Sequence, residues 1–173
     1  MRRRGITVGN REFASVLIEV MQEQLEAYRT LLHIGNKKTD VLVKGDIKTL
    51  NEITEQEQNL ILKLGKLEDE RFELVKQIAK LHNKNASEVK ADFFKAILDE
   101  EEAELFATIH DDLKTVLLEI EEQNRRNEKL IKNALEYINF SIKLFTDTGV
   151  SKANYGADGV NAKKAFHFID KQA

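Results

Sequence analysis

The sequence predicts an all-α fold: an antiparallel bundle, or coiled coil, of three long helices plus a short one over residues 11–146, followed by a flexible C-terminal tail over residues 147–173. Three observations predict it. The 173 residues include no proline, where an average chain gives about 5% of its positions to proline, so the backbone is rarely required to break a helix. Ala, Glu, Lys, Leu and Arg make up 81 of the 173 residues, close to the roughly one-half share of long or coiled helices. Apolar residues recur in alternating steps of three and four over most of the length. Leu, Ile, Val and Phe number 53, well above the roughly one-fifth share below which a charged chain stays disordered, so the chain has enough apolar material to fold.

Each element follows from its own pattern. Between Arg11 and Lys44, the residues Phe13, Leu17, Val20, Tyr28, Leu31 and Leu42 form one helical stripe, with Val16, Leu25, Leu32 and Val41 beside it. Gly45 suits the left-handed position just past a helix end, and Asp46 suits the cap of the next helix. A tight helical hairpin is expected there. Gly35, inside the first helix, costs about 1 kcal/mol relative to Ala and marks either a bend or a close backbone approach.

The second helix carries the cleanest seam: Leu50, Ile53, Glu57, Leu60, Leu64, Leu67, Arg71, Leu74, Ile78 and Leu81. Its two polar occupants, Glu57 and Arg71, must be paired or reach water; they either fix register or meet a partner. Asn83 to Ala86 interrupt the pattern. Ser87 then suits the cap of a short helix carrying Val89, Phe93 and Ile97, and Asp99 with Glu102 has the spacing of a capping box that opens another helix. The last long helix has a seam of Phe106, Ile109, Leu113, Val116, Ile120, Gln123, Asn127, Leu130, Ala134, Tyr137, Ser141 and Leu144, polar at Gln123 to Asn127 and apolar again to Phe145. From Thr146 to Asn154 the stripe is lost. Phe166, Phe168 and Ile169 make a small apolar cluster among lysines, too short to bury itself alone.

The same composition excludes several chemistries. Without cysteine there are no disulfides, thiolate zinc sites or cysteine nucleophiles, which fits a cytoplasmic protein. None of the four histidines follows a glutamate by three residues, as a di-iron bundle site requires. His-Glu-x-x-His, an EF-hand loop and a phosphate-binding glycine loop are likewise missing, so no catalytic residue, metal ligand or cofactor is assigned. No apolar run approaches the roughly 18 residues of a membrane span. Arg2, Arg3 and Arg4 form a short cluster on a chain of net charge −3 and read as a solvated end, so neither nucleic acid nor membrane insertion is expected.

What stands out is apolar surface late in the last helix. Leu130, Ile131, Leu135, Tyr137, Ile138, Phe140, Ile142, Leu144 and Phe145 spread over roughly 220° of its circumference. One neighbouring helix needs less. The segment therefore either contacts two helices of its own bundle or leaves part of its surface for a partner's amphipathic helix.

With the elements placed, the sequence resembles the FlgN family of flagellar export chaperones. The matching features are Tyr28 and Leu31-Leu32 in the first helix, Lys44-Gly45-Asp46-Ile47 followed by Leu50 at the turn, and Glu57, Leu60-Ile61, Leu67-Glu68 and Arg71 in the second helix. The last helix adds Asn124, Asn127, Leu130 and Ile131, and the tail adds Tyr155-Gly156-Ala157-Asp158-Gly159. The resemblance covers about residues 11 to 160, and the tail signature is its most specific part. It implies a cytoplasmic substrate chaperone of type III export. Its clients would be the hook-filament junction proteins (FlgK-like and FlgL-like), bound by their C-terminal amphipathic helices, kept from polymerising early and handed to the cytoplasmic domain of the export gate protein. On that likeness the client-binding residues are Leu130, Ile131, Tyr137, Ile138, Phe140, Leu144, Phe145, Phe166, Phe168 and Ile169, and the gate-binding residues are Tyr155, Gly156, Ala157, Asp158 and Gly159. A structural homodimeric coiled coil is the competing class; the turn at Gly45-Asp46 argues against it by folding the chain back on itself.

Overall fold

The computed structural model describes the backbone of residues 8–151 and the side chains of residues 12–146. Three long helices, α1 (Val8–Lys44), α2 (Ile47–Leu81) and α4 (Glu100–Ser151), are joined with a short one, α3 (Ala91–Ile97), and a 3₁₀ turn at Ala86–Glu88. No strand occurs among the described residues. The all-α expectation of three long helices and one short helix is what the protein adopts. By its contacts the chain divides after Asn133 into two compact units.

The first unit is organised by the turn between α1 and α2. Gly45 sits at φ +69°, where only glycine is free of steric cost. Its N–H donates to the Leu42 carbonyl at 3.3 Å, and the Asp46 N–H donates to the Val41 carbonyl at 3.2 Å, which together close the helix end as a Schellman motif. Asp46 then caps α2. Its carboxylate accepts from the Thr49 N–H at 3.1 Å and from the Thr49 hydroxyl at 2.6 Å, and those two bonds hold its pKa below the ordinary carboxylate value. Two residues reverse the chain, as the Gly-Asp pair predicts. The far end of α2 closes the same way with Asn83, at φ 54°, in the left-handed position.

Side-chain pairs set the helix directions. Gln24 of α1 donates to Glu68 of α2, and Lys38 to Glu57, so these two helices run antiparallel. Ser15 pairs with Glu102 of α4, Arg29 with Asp112 and Thr39 with Asn127, so α4 runs parallel to α1. Because α1 lies between two neighbours, its buried band is wider than the single stripe expected. Leu17, Val20 and Leu25 are buried as predicted, and Ala14, Ile18, Met21, Ala27 and Ile34 join them, while Val16 lies exposed at the margin. In α2 the seam is buried at Ile53, Leu64, Leu67, Leu74 and Ile78 and ends in an exposed Leu81. One core cluster links Leu17, Met21 and Leu25 with Leu74, Ile78, Phe94, Phe106, Ile109 and Ile120.

The connection from α2 to α4 differs from expectation in three places. Ser87 does not cap the short helix: it lies in the 3₁₀ turn, where the Asn85 N–H meets the Glu88 carboxylate at 3.4 Å, and α3 starts only after Lys90. Phe94, rather than Phe93, is its buried residue. A run of rings holds the connection down, with His82 edge-on to Phe93 at 5.1 Å, Phe93 to Phe94 at 5.7 Å and Phe94 against Phe106 at 5.0 Å. Asp99 and Glu102 do form the predicted box, with the Glu102 N–H donating to Asp99 at 3.0 Å, but the helix they open is the last long one itself. That helix also runs to Ser151, six residues past the end of its apolar stripe, because a helical backbone satisfies its own hydrogen bonds without a stripe.

The polar seam residues are paired. Lys38 Nζ lies 2.6 Å from Glu57, both side chains mostly buried. Arg71 holds Glu68 through its Nε at 2.8 Å and a second guanidinium bond, while Gln24, buried itself, donates to Glu68 at 3.0 Å. The Arg71 bond, aided by Gln24, draws the Glu68 pKa below its ordinary value, and Glu68 in turn raises that of Arg71. Burial, with the Glu68 charge, pushes the neighbouring Tyr28 hydroxyl up. Between α1 and α4, Asn127 Nδ2 donates to the Gly35 carbonyl at 3.1 Å, the Thr39 hydroxyl donates to Asn127 Oδ1 at 2.7 Å, and Gln123 hydrogen-bonds Asn36. Gly35 is therefore a close approach: a Cβ there would lie 2.8 Å from Gln123 Cδ and closer still to its Oε1.

Two expectations follow. Gly35→Ala should destabilise the protein by about 1–3 kcal/mol through overpacking, despite the roughly 1 kcal/mol helix-propensity gain of Ala over Gly. In a Gln123→Ala background, which empties the space, the same change should become stabilising; urea denaturation of the four proteins checks the reversal of sign. Because the Glu68 pKa is depressed, its contribution is present above the ordinary glutamate value and is lost as pH falls through the lower folded value. Glu68→Gln should therefore lower Tm at pH 7, and the gap to wild type should close in acid scans.

Candidate functional site

The three described histidines do not assemble a site. His82 packs on Phe93, His110 stacks over Phe106 and lies 3.2 Å from Asp111, and His33 is exposed; His167 lies outside the described residues. Among the described residues no three His, Cys, Asp or Glu side chains gather as metal ligands, and no helix is long and apolar enough to cross a membrane. The carboxylates of the polar turn in α4 sit on the solvent face in i,i+4 pairs, Glu121 with Arg125 and Glu122 with Arg126.

The remaining feature is α4 itself. Its seam is buried at Phe106, Ile109, Val116, Ile120, Gln123 and Asn127. Leu130 is half-buried and Ile131 is 37% exposed; both belong to the first unit. Burial of the seam stops at Asn127 and Leu130. In the second unit Leu135, Ile138, Ile142 and Leu144 are at least half exposed, Phe140 is 59% exposed, Tyr137 72% and Phe145 80%.

Helical spacing sorts these side chains into two stripes. Leu135, Ile138, Ile142 and Phe145 fall within about 80° of one another, and Tyr137, Phe140 and Leu144 within about 60°. Ser141 lies between the stripes, its hydroxyl turned back onto the Tyr137 carbonyl at 2.9 Å. Glu136, Asn139 and Lys143 fill the remaining face. Of the residues expected to bind a partner, Tyr137, Ile138, Phe140, Leu144 and Phe145 share this exposed stretch. Phe166, Phe168 and Ile169, and Tyr155 to Gly159, lie outside the described residues, as does most of the tail assigned to residues 147–173. Leu135 and Ile142 were missing from the expected site, although their spacing from Ile138, three before and four after, is the signal that completes a stripe.

Exposed apolar stripes on a helical scaffold define a class: all-helical proteins that bind other chains through a helix face. The family model described as FlgN protein matches residues 13–163, and the chain belongs to the FlgN family, whose members are flagellar export chaperones. It is also similar to an uncharacterised protein of Bacillus subtilis (strain 168), YvyG, with 26% identity over 128 residues covering 74% of this chain and 78% of that protein. No solved structure matches it.

Surface substitutions away from a packed core change stability by about 0.5 kcal/mol or less. Tyr137→Ser combined with Phe140→Ser should accordingly leave the helical circular dichroism unchanged and the thermal midpoint within about 3 °C of wild type.

Proposed function

We propose that this flagellar export chaperone acts in the cytoplasm on hook-filament junction proteins, binds their C-terminal amphipathic helices, prevents their early polymerisation and delivers them to the export gate. The observation that carries the reading is the apolar surface of α4 beyond Asn133, where Tyr137 and Phe140 stand exposed on one stripe. An amphipathic helix offers a complementary face with anchors at i, i+3 and i+7, the spacing at which Tyr137, Phe140 and Leu144 recur. Aromatic side chains are the commonest anchors of such contacts, because they bring large area with few rotors to immobilise. Ile131, Ile138 and Phe145 stand on the neighbouring stripe of the same helix. The tail cluster of Phe166, Phe168 and Ile169 is proposed to flank the client rather than to form its seat.

The tail signature supports the second half of the reading. Tyr155 followed by Gly156-Ala157-Asp158-Gly159 is a short segment of the kind that docks through one aromatic residue. Its proposed partner is the cytoplasmic domain of the export gate protein.

Titration calorimetry with a synthetic peptide copying the C-terminal helix of a hook-filament junction protein from the same organism tests client capture. Tyr137→Ser with Phe140→Ser should weaken binding ten- to a hundredfold, the range of a hot-spot pair; unchanged affinity would remove this face from capture. Tyr155→Ala should leave client affinity unchanged and weaken binding of the loaded chaperone to the gate's cytoplasmic domain. Equal gate affinities would remove Tyr155 from delivery, and loss of client binding would relocate it to capture.

A further inference from the structure

The two stripes on α4 are more than one docked helix can cover. A helix packed on another covers a single stripe of the facing surface, so a client seated on Tyr137 and Phe140 leaves Leu135, Ile138 and Ile142 exposed to water. Those three side chains are each at least 50% exposed, and they lie on the far side of Ser141 from the first stripe. We infer that the second stripe is the seat of the chain's own tail, residues 163–169, whose Phe166, Phe168 and Ile169 dock on Leu135, Ile138 and Ile142 of the same molecule.

Reach and valence support this occupant. Fourteen residues separate Ser151 from Phe166, enough for about 45 Å of extended chain, whereas Ile138 lies about 20 Å back along the helix from Ser151. The tail turns back with chain to spare. Its three apolar residues are too few to form a core of their own, and tethering to the same helix holds them at millimolar effective concentration, at which a weak apolar contact is populated. The part of the stripe they meet, Leu135, Ile138 and Ile142, is aliphatic, and it stays vacant when a client occupies Tyr137 and Phe140, so tail and client flank α4 from two sides.

A spin-label experiment decides the occupant. The chain has no cysteine, so His167→Cys provides a single attachment point for a nitroxide on the full-length protein. Methyl signals of Leu135, Ile138 and Ile142 should broaden strongly and independently of protein concentration, while those of Leu17 and Ile78 in the core stay sharp. Ile138→Ser with Ile142→Ser should abolish the broadening at the remaining Leu135 methyls. Unbroadened wild-type signals would overturn the inference. Broadening that appears only when labelled and unlabelled molecules are mixed at high concentration would overturn it too, by assigning the stripe to a second copy of the chain. The experiment contains no client, so its outcome is independent of the proposed function. Titration of the client peptide separates the two: loss of the tail contact with client affinity kept means the seat is wrong and the capture face right, and the converse leaves the tail seated on a protein with another client.

Discussion

Asn127 reaches across from α4 to the Gly35 carbonyl of α1, and that contact fixes how the third long helix lies on the hairpin. Position 35 lacks a Cβ, and the Gln123 amide occupies the space one would fill. Around it Thr39 and Asn36 complete the hydrogen bonding, and one turn away Lys38 turns to Glu57 of α2. Polar groups buried in a helix seam destabilise any register that leaves them unpaired. A slip of α4 by one heptad along α1 would strand both amides against apolar side chains, whereas leucine would tolerate the slip. The apolar core supplies the gross stability, and these few polar residues select one alignment out of several that leucines alone would accept.

That arrangement was legible in outline. The absence of proline and the three-four spacing define the long helices, and Gly45-Asp46 locates the hairpin because a left-handed position followed by a cap has few other uses. Gly35 could be flagged but not resolved between a bend and a close approach, since the answer depends on which residue of a helix some 90 positions later lies opposite. The wide buried band of α1 was missed for a related reason: a stripe search assumes one neighbour, and α1 has two. Ser87 is no cap because it lies inside a 3₁₀ turn, in which the Val89 N–H already donates to the Ala86 carbonyl. Within the functional surface, the apolar width of α4 was read correctly from 100° steps. Its meaning remained two-sided, because burial by a second bundle helix and exposure give the same sequence pattern.

The buried and the exposed stretches of α4 place opposite demands on its sequence. Up to Asn127 its seam is closed and its charged residues pair along the solvent face, as in any helix that must hold a register. Beyond Asn133 the apolar residues stay on the outside, and a polar strip of Glu136, Asn139 and Lys143 keeps the segment soluble. The burial pattern changes after the polar turn: Gln123 and Asn127 are the last fully buried residues of the seam.

The two-residue turn at Gly45-Asp46 also has a kinetic consequence. Its Schellman bonds and the Asp46 cap are local, and they bring together arms that lie within the first 81 residues, so loop closure is cheap and the hairpin is the part of the molecule with the shortest sequence separations. During synthesis it can zip while α4 is still being made. The aromatic stretch of α4 is therefore made after the hairpin arms, so this association-prone segment emerges beside a hairpin already formed.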